Sequence, residues 1–370
     1  MLIGLDARLM GEPRSGIARY TRQLVTALAG LPGDEELVLF TDAPLEAVPA
    51  SSRVTQRCLG GPHRLLWSFW SLPRALAREP VDCYHSLTGF ELPRSRTPRL
   101  VATVHDLIPL TFPALTPWRH RVAFRLLIGG ALRRADRVIA ISEATRREIL
   151  DRFRISPAKV VVVPLAVGEQ FRPLEAPALR QALRERYALP GEYLLFVGLL
   201  EPKKNLPVLL EAFALLRRAG QAPAGVELLI VGAGGWDTAG LPAEVQRLGL
   251  DGAVRFLGPV PEADLPGLYS LALGFVFPSL WEGFGLPALE AMASGAPVVA
   301  SARGALPELI GDAGLLVEPA ARPLADALAV LVGDPGLRER LRARGLERAR
   351  RFSWRRTAEE TLAVYRAVAA

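Results

Sequence analysis

The sequence predicts an α/β protein built from two doubly wound domains, and three observations support this prediction. Short apolar runs alternate with longer segments that have the periodicity of helices, which indicates parallel sheets flanked by helices. The chain has 370 residues, of which 50% are hydrophobic, and this suits two ordinary domains better than one core. Prolines and charges interrupt the alternation at residues 168–190, where we place the interdomain linker. Two such domains are expected to face each other across a cleft, with the carboxyl ends of their strands towards it.

We expect six strands in each domain. The expected strands are residues 2–6, 37–40, 81–85, 100–105, 137–141 and 160–164 in the first domain, and 193–198, 227–232, 254–258, 274–278, 298–301 and 315–317 in the second. These elements place the domains at residues 1–170 and 171–353. The tail, residues 354–370, also has a helical pattern, and the residues alone do not say which domain it belongs to.

The charge composition gives no support for nucleic acid as a partner. The net charge is +7, but it comes almost wholly from arginine, because lysine occurs only at positions 159, 203 and 204. No zinc-finger, RNP or helix-turn-helix signature accompanies the arginines. An acidic substrate or an anionic membrane surface accounts for the positive charge equally well.

The sequence predicts a cytoplasmic protein. No apolar run reaches the ~20 residues that span a bilayer, and the first residues read as a strand and not as a signal peptide. Cys58 and Cys83, the two cysteines, lie in apolar surroundings and are expected to be buried free thiols.

Two basic and aromatic segments of the first domain raise the question of membrane contact. Residues 63–78 are rich in tryptophan and read as a half-buried helix. Residues 118–134 combine an apolar stripe with several arginines. For this second segment, an ordinary half-buried helix and a helix lying on anionic lipid fit about equally well.

The most informative stretch of the chain runs from Pro278 to Glu290. Glu282 follows an expected strand, and Pro287 suits the first turn of a helix, where its missing N–H is no loss. The glycines between them let a ligand approach the backbone, and the helix N-terminus favours an anion. Two carboxylates beside an anion site suit a ligand with both hydroxyls and phosphate, such as a nucleotide sugar. On residue types alone, a solvated loop acid and a helix-dipole interaction explain the two glutamates about as well.

Lys203 and Lys204 stand between an expected strand and the start of the next helix. A chain that otherwise uses arginine has an ammonium here, and an ammonium meets a phosphate as a compact point charge. Cations at a helix N-terminus oppose the helix dipole, so the pattern suggests a bound anion. The alternative is a solvated helix start.

The first domain offers weaker signals. A glycine-containing turn, residues 11–16, precedes the first helix, and a plain strand-to-helix loop is the alternative for Gly16. His105 ends an expected strand, where doubly wound folds bind ligands, whereas His63, His85 and His120 are expected to be structural. No spacing typical of a Ser/His/Asp triad surrounds His105. No Asp-x-Asp, His-x-x-x-His or cysteine pair predicts a metal site.

The run from Pro278 to Ser301 resembles the Glu-x7-Glu motif of the retaining GT-B glycosyltransferases, family 4. The segments Gly198–Asn205 and Val104–Asp106 resemble the lysine-containing turn and the Val-His-Asp motif of that family. The resemblance covers nearly the whole chain and is more specific in the second domain. It implies a GT-B fold whose last helix crosses back to the first domain. It also implies transfer of a hexose from a nucleoside diphosphate sugar to a hydroxyl acceptor, without metal or cofactor.

The resemblance also implies a role for each matching residue. Glu282 and the amides of Gly283, Phe284, Gly285 and Leu286 would hold sugar hydroxyls and phosphate, and Glu290 would meet the ribose. Lys204 would contact the donor diphosphate. Lys203 would supply a second cation, because Leu199 stands where some members have arginine. Gly16 would approach the donor phosphate or the acceptor, and His105 would face the reacting sugar as positive charge develops.

The resemblance points most closely to branches that transfer mannose or rhamnose, with GDP-mannose as the leading donor. Acceptors in the family are often glycans or lipid-linked saccharides, which favours peripheral contact with the inner face of an anionic membrane. Two alternatives remain at this point: a GT-B sugar epimerase or phosphorylase, and a two-domain solute-binding protein. The second alternative would need a signal peptide.

Overall fold

The computed structural model describes residues 1–12, 16–60, 66–94, 98–223, 225–235 and 239–370. The chain forms two compact units, Met1–Leu165 with Ser353–Ala370, and Ala166–Phe352. The boundary lies just before the stretch 168–190, which was expected to be a linker. That stretch contains a helix, Pro177–Arg186, which belongs to the second unit.

The first unit contains a seven-stranded parallel sheet in the order β3-β2-β1-β4-β5-β6-β7. Its strands are β1 Leu2–Asp6, β2 Glu36–Thr41, β3 Val54–Cys58, β4 Cys83–Ser86, β5 Arg99–Val104, β6 Arg137–Ala140 and β7 Val160–Val162. Its helices are α1 Gly16–Gly30, α2 Leu72–Arg78, α3 Ile108–Thr111, α4 Trp118–Arg134 and α5 Glu143–Arg152. Apolar side chains of the sheet and helices form one buried cluster, which includes Phe40, Trp67, Tyr84 and Phe124.

The second unit contains a six-stranded parallel sheet in the order β10-β9-β8-β11-β12-β13. Its strands are β8 Tyr193–Val197, β9 Glu227–Val231, β10 Val254–Gly258, β11 Gly274–Phe277, β12 Val298–Ser301 and β13 Gly314–Val317. Its helices are α6 Pro177–Arg186, α7 Leu206–Arg218, α8 Leu241–Leu248, α9 Leu265–Leu271, α10 Leu286–Ala293, α11 Leu306–Ile310, α12 Ala321–Gly333 and α13 Pro335–Ala349. Strands β8 and β11 are buried along their whole length, which explains their continuous apolar sequences.

The last helix, α14 Trp354–Ala369, belongs to the first unit, where it packs on α1, β4 and β5. Its Thr357 hydroxyl donates to the backbone oxygen of Pro164, 2.9 Å away. Arg366 donates to Glu35 near the other end of the helix, with 2.9 Å between Nε and Oε1. These contacts attach the end of the chain to the unit that holds its beginning.

Strand β3 was not predicted from the sequence. Its residues, Val54–Cys58, are mostly polar and at least partly exposed, because β3 is the edge strand of its sheet. The expectation that both cysteines are buried was wrong for Cys58, which is exposed on this strand, whereas Cys83 is buried. Both are free thiols.

Candidate active site

The strand order of the second unit marks one place at the sheet edge as a ligand site. In an open parallel sheet, ligands bind outside the carboxyl ends of the two strands where the strand order reverses. Here those strands are β8 and β11. A 3₁₀ turn, Pro202–Lys204, follows β8, and the loop that contains Glu282 follows β11. The topology therefore brings two of the predicted segments to the same edge.

Lys204 and Glu282 form a buried ion pair at this edge. The Lys204 ammonium donates to Glu282 Oε1 at 2.5 Å, and each residue is only 7% exposed. The ammonium also lies 4.8 Å from the centre of the Phe277 ring. Burial alone would raise the pKa of Glu282, but the charges of Lys204 and Lys203 outweigh it and lower that pKa. Glu282 is therefore ionised at neutral pH, and it is suited to accept hydrogen bonds and not to act as an acid.

Backbone hydrogen bonds fix the loops that carry this pair. Leu280 donates its amide to the oxygen of Lys203 at 2.8 Å. The Asn205 side chain donates to the backbone oxygens of Pro278 and Pro319, each at 3.2 Å. These bonds join the turn after β8 to the loop after β11. Asn205 was not among the predicted site residues, although its place directly after Lys204 was a usable signal.

Gly304 supports Glu282 from the loop after β12. The amide of the next residue, Ala305, donates to the backbone oxygen of Glu282 at 2.9 Å. Gly304 has φ +59°, and a Cβ there would lie 2.4 Å from the same oxygen. Only glycine fits such a close approach. Gly304 was not predicted as a site residue, because a single glycine after a strand has many ordinary explanations.

The glycine turn leads directly into helix α10. Gly285 precedes the helix with φ +104°, and a Cβ there would lie 2.6 Å from the Leu306 side chain. Among the described residues, none accepts a backbone hydrogen bond from the amides of Phe284, Gly285 or Leu286. Free amides at a helix N-terminus bind anions. The ring of Phe284 itself is buried and packs edge-on against Phe352 at 5.9 Å, so only its amide is available to a ligand.

Glu290 is the fifth of the eight residues of α10 and is 3% exposed. Its Oε2 accepts a hydrogen bond from the Tyr269 hydroxyl at 3.1 Å. This contact holds the carboxylate within the second unit. Glu290 is therefore more deeply enclosed than its sequence position, near a helix start, suggested.

Lys203 and Lys204 both have protein partners. Lys203 lies 3.2 Å from Glu201, and Lys204 pairs with Glu282. The cations that oppose the dipole of α7 are thus already accompanied by carboxylates, which the sequence pattern did not reveal. An anion is not needed to explain their presence, but the ammonium of Lys204 has three hydrogens and can donate to more than one acceptor.

In the first unit, His105 directly follows β5. Its Nε2 lies 2.8 Å from the backbone oxygen of Leu87. A carbonyl only accepts, so Nε2 carries the hydrogen and Nδ1 keeps its lone pair when the ring is neutral. Burial lowers the pKa of His105, although the bond to Leu87 opposes that shift. His105 is therefore neutral at pH 7 and can accept a hydrogen bond at Nδ1.

Gly16 is the first residue of α1 and is exposed, with open space where a Cβ would stand. Residues 13–15 of its turn lie outside the described residues, as does His63. His120 is exposed and stacks edge-on with Phe90 at 6.0 Å.

The described ranges contain no group of three or more His, Cys, Asp or Glu side chains that could hold a metal ion. Within the same ranges, no helix is both long enough and apolar enough to cross a bilayer.

Comparison with known proteins identifies the family of this chain. Residues 14–171 match the profile of Glycosyltransferase Family 4, and residues 191–334 match that of Glycosyl transferases group 1. The O-antigen chain mannosyltransferase B of Escherichia coli is 33% identical over 375 residues, which cover 96% of each chain. The chain belongs to glycosyltransferase family 4. It is therefore an enzyme that transfers glycosyl groups.

Solved structures share the fold of this family 4 glycosyltransferase. Sucrose-phosphate synthase from Thermosynechococcus elongatus matches with a TM-score of 0.77 at 24% identity, over 99% of this chain and 98% of that one. The Anabaena protein HepE, solved in complex with UDP and glucose, matches with a TM-score of 0.74 at 20% identity, over 98% of each chain. The predicted GT-B fold is confirmed.

Proposed function

We propose that this glycosyltransferase moves mannose from GDP-mannose to a hydroxyl of a glycan or lipid-linked saccharide, with retention of the anomeric configuration. The observation that carries the proposal is the buried Lys204–Glu282 pair beside the free amides at the start of α10. A cation and amides suit a diphosphate, and an ionised carboxylate suits sugar hydroxyls. Mannose is favoured by the name of the E. coli relative, and a nucleoside diphosphate by the UDP in the Anabaena structure.

The second unit would bind the donor. Lys204 would donate to the diphosphate while it keeps its bond to Glu282, because an ammonium has three hydrogens. The amides of Gly283, Phe284, Gly285 and Leu286 would contact phosphate or sugar oxygens. Glu290 would meet the ribose hydroxyls, and Lys203 would add positive charge near the diphosphate. These groups would stabilise the leaving nucleotide without a metal ion or other cofactor.

The transfer would proceed by substitution on one face of the sugar. The bond between the anomeric carbon and the phosphate oxygen breaks, and the acceptor oxygen bonds to that carbon from the same side. The proton of the acceptor hydroxyl passes to the departing phosphate. His105 would stabilise the sugar as positive charge develops, since a neutral imidazole with a lone pair on Nδ1 accepts a hydrogen bond from a sugar hydroxyl. Gly16 would leave room for substrate beside α1.

The test is a screen of nucleotide sugars for release of the nucleoside diphosphate, with alkyl glycosides as acceptors. We expect GDP-mannose to exceed UDP-glucose by at least about tenfold in kcat/KM. The anomeric coupling constant of the product should match that of the donor. Faster turnover of another donor would contradict the choice of GDP-mannose, and an inverted product would contradict retention. Release of free, epimerised sugar without transfer would favour the epimerase alternative.

We also propose that α4 contacts an anionic membrane surface. Trp118, Val122 and Leu126 repeat every four residues, so they share one face of the helix, and they are 64%, 45% and 75% exposed. Exposed arginines, among them Arg119 and Arg125, accompany them. Apolar side chains beside cations favour the interface of an anionic bilayer.

Sedimentation with vesicles tests the membrane proposal. Wild-type protein should bind vesicles that contain phosphatidylglycerol more tightly than vesicles of phosphatidylcholine alone. Leu126→Glu should weaken this binding, whereas Leu179→Glu, at a site 57% exposed on α6, should leave it unchanged. Equal binding by both variants would refute the role of α4.

A further inference from the structure

A chain of buried polar groups runs through the first unit, from the last helix to the neighbourhood of His105. The Tyr365 hydroxyl of α14 lies 2.6 Å from His85 Nδ1. His85 Nε2 lies 2.7 Å from the Thr103 hydroxyl, which in turn lies 3.1 Å from the Tyr20 hydroxyl. The ring of Tyr20 packs edge-on against His105, with ring centres 4.9 Å apart. These five side chains thus form one connected series. Four of them come from α14, β4, β5 and α1, and the fifth, His105, directly follows β5.

All the hydrogen-bonded members of this series are shielded from water. Tyr365, His85 and Thr103 are 0% exposed, and Tyr20 is 2% exposed. Burial, with a smaller effect from His105, lowers the pKa of His85 to about 3. The His85 ring is therefore neutral, with one nitrogen that donates and one that accepts. Tyr365 and Thr103 are both hydroxyls, so they satisfy either tautomer and leave neither nitrogen unpaired.

The geometry of the strands places this series against His105. Thr103 and His105 are two positions apart at the end of β5, and residues at that spacing in a strand lie on the same face. His85 and Leu87 have the same relation at the end of β4. Leu87 accepts the hydrogen bond from His105 Nε2, and His85 binds Thr103. The two histidines are thus held by the same pair of adjacent strands.

We propose that Tyr365 and His85 are positioning residues for His105. They hold the hydroxyl of Thr103 and, through it, the ring of Tyr20, and that ring fixes the orientation of the His105 imidazole. This inference rests on the proposed role of His105 in the transfer. It assigns the last helix a part in catalysis, although Tyr365 stands 280 positions from His85 in the sequence.

The test compares two tyrosines that are both fully buried in the first unit. Tyr365→Phe removes a hydroxyl that binds His85. Tyr84→Phe removes a hydroxyl that has no hydrogen-bond partner among the described residues. Using GDP-mannose and an alkyl mannoside, we expect Tyr365→Phe to lower kcat by roughly 10-fold, because small errors of orientation slow the chemical step. Its KM for GDP-mannose should stay within twofold of wild type. Tyr84→Phe should keep wild-type kcat and KM.

A double-mutant cycle shows whether Tyr365 acts through His105. The loss from Tyr365→Phe should disappear in the His105→Ala background. A loss of the same size in both backgrounds would overturn the inference, as would wild-type kcat in Tyr365→Phe. Tyr20→Phe, which keeps the ring but not the hydroxyl, serves as a second variant if Tyr365→Phe folds poorly, and it should also lower kcat.

The proposed role of His105 in the transfer and the proposed positioning role of Tyr365 and His85 can fail separately. If His105→Ala transfers mannose normally, the proposed role of His105 is wrong. If His105→Ala is impaired while Tyr365→Phe and Tyr20→Phe behave as wild type, only the positioning role is wrong. The protein has four histidines, so nitrogen-15 NMR of the rings gives an independent measure. Tyr365→Phe should shift the resonances of His105, whereas Tyr84→Phe should not.

Discussion

Among single residues, the pairing of Lys204 with Glu282 has the clearest consequences. Each residue was predicted from its own motif, but no sequence pattern indicated that they bind each other, because 78 positions separate them. The pair forms only because β8 and β11 are neighbours in the sheet. Removing one partner leaves an uncompensated charge in a buried place.

We expect Glu282→Gln to lower kcat/KM by about 100-fold or more, because a preorganised charge at the sugar is lost. The variant should remain folded, since Gln fills about the same volume and the loop keeps the backbone bonds from Leu280 to Lys203 and from Ala305 to residue 282. The control is Glu318→Gln, because Glu318 forms an exposed pair with Arg303. Near-wild-type turnover by Glu282→Gln would show that the site is wrongly assigned.

The buried His85 predicts a dependence of stability on pH. Its folded pKa of about 3 lies below its ordinary value of 6.5, so the folded state favours the neutral ring. The contribution of His85 to the free energy of unfolding is therefore complete above pH 6.5. It is lost as the pH falls towards 3, by up to about 1.4 kcal/mol per pH unit. His105, whose pKa is also lowered, adds to the same trend.

Urea unfolding at several pH values measures this dependence. Between pH 6.5 and 4, the free energy of unfolding of His85→Gln should depend less steeply on pH than that of wild type. The difference in slope should correspond to the uptake of about one proton. Parallel slopes for wild type and His85→Gln would mean that His85 titrates normally in the folded protein.

Among the secondary structure elements, the buried ones were predicted well and the exposed ones less well. Strands such as β8 and β11 have continuous apolar sequences because both faces are buried. Strand β3 escaped notice because an edge strand needs no such pattern. Helix α6 lay in a stretch read as a linker, since its sequence is highly charged and mostly exposed, with Leu183 its one buried residue.

The position of α14 could not be derived from its own pattern. An amphipathic helix needs an apolar surface, but its sequence does not say which unit supplies it. The structure places Trp354, Leu362 and Tyr365 among the buried residues of the helix. Their partners, α1, β4 and β5, lie more than 200 positions earlier in the chain.

Deletion of residues 353–370 should therefore destabilise the first unit. The deletion exposes apolar surface and leaves His85 without the Tyr365 hydroxyl, so we expect the midpoint of thermal unfolding to fall by roughly 10 °C. Deletion of Ala369 and Ala370 alone, which are exposed, should leave it unchanged. An unaltered midpoint in the longer deletion would contradict the packing of α14.

At the scale of the whole molecule, the two units repeat one strand order. When the strands are numbered from the first strand of their own unit, both sheets have the order 3-2-1-4-5-6, and the first sheet adds one more strand at its end. In each unit the candidate residues follow strands near the point where this order reverses. Strand–helix alternation made this architecture predictable. The sequence could not show the enclosure of Glu290 or the buried series around His85, because both depend on contacts between distant segments.

We expect transfer to continue in excess EDTA. The sequence has no Asp-x-Asp, and Lys204 with the free amides of α10 can neutralise a leaving diphosphate. Turnover should be measured after dialysis against chelator, with and without added Mg²⁺ or Mn²⁺. Loss of turnover that either metal restores would show that a metal takes part.

The central claim is that Lys204 and its neighbours bind the donor diphosphate, and calorimetric titration with GDP tests it most directly. The three lysines allow a matched comparison, because Lys159 lies in the first unit and donates to the backbone oxygen of Arg133. Lys204→Ala should bind GDP roughly 10- to 150-fold more weakly, which corresponds to about 1.5–3 kcal/mol for a charge-assisted contact. Lys159→Ala should bind as wild type, and guanosine should bind the Lys204→Ala and wild-type proteins equally. Equal affinities for GDP in wild type and Lys204→Ala would contradict the claim.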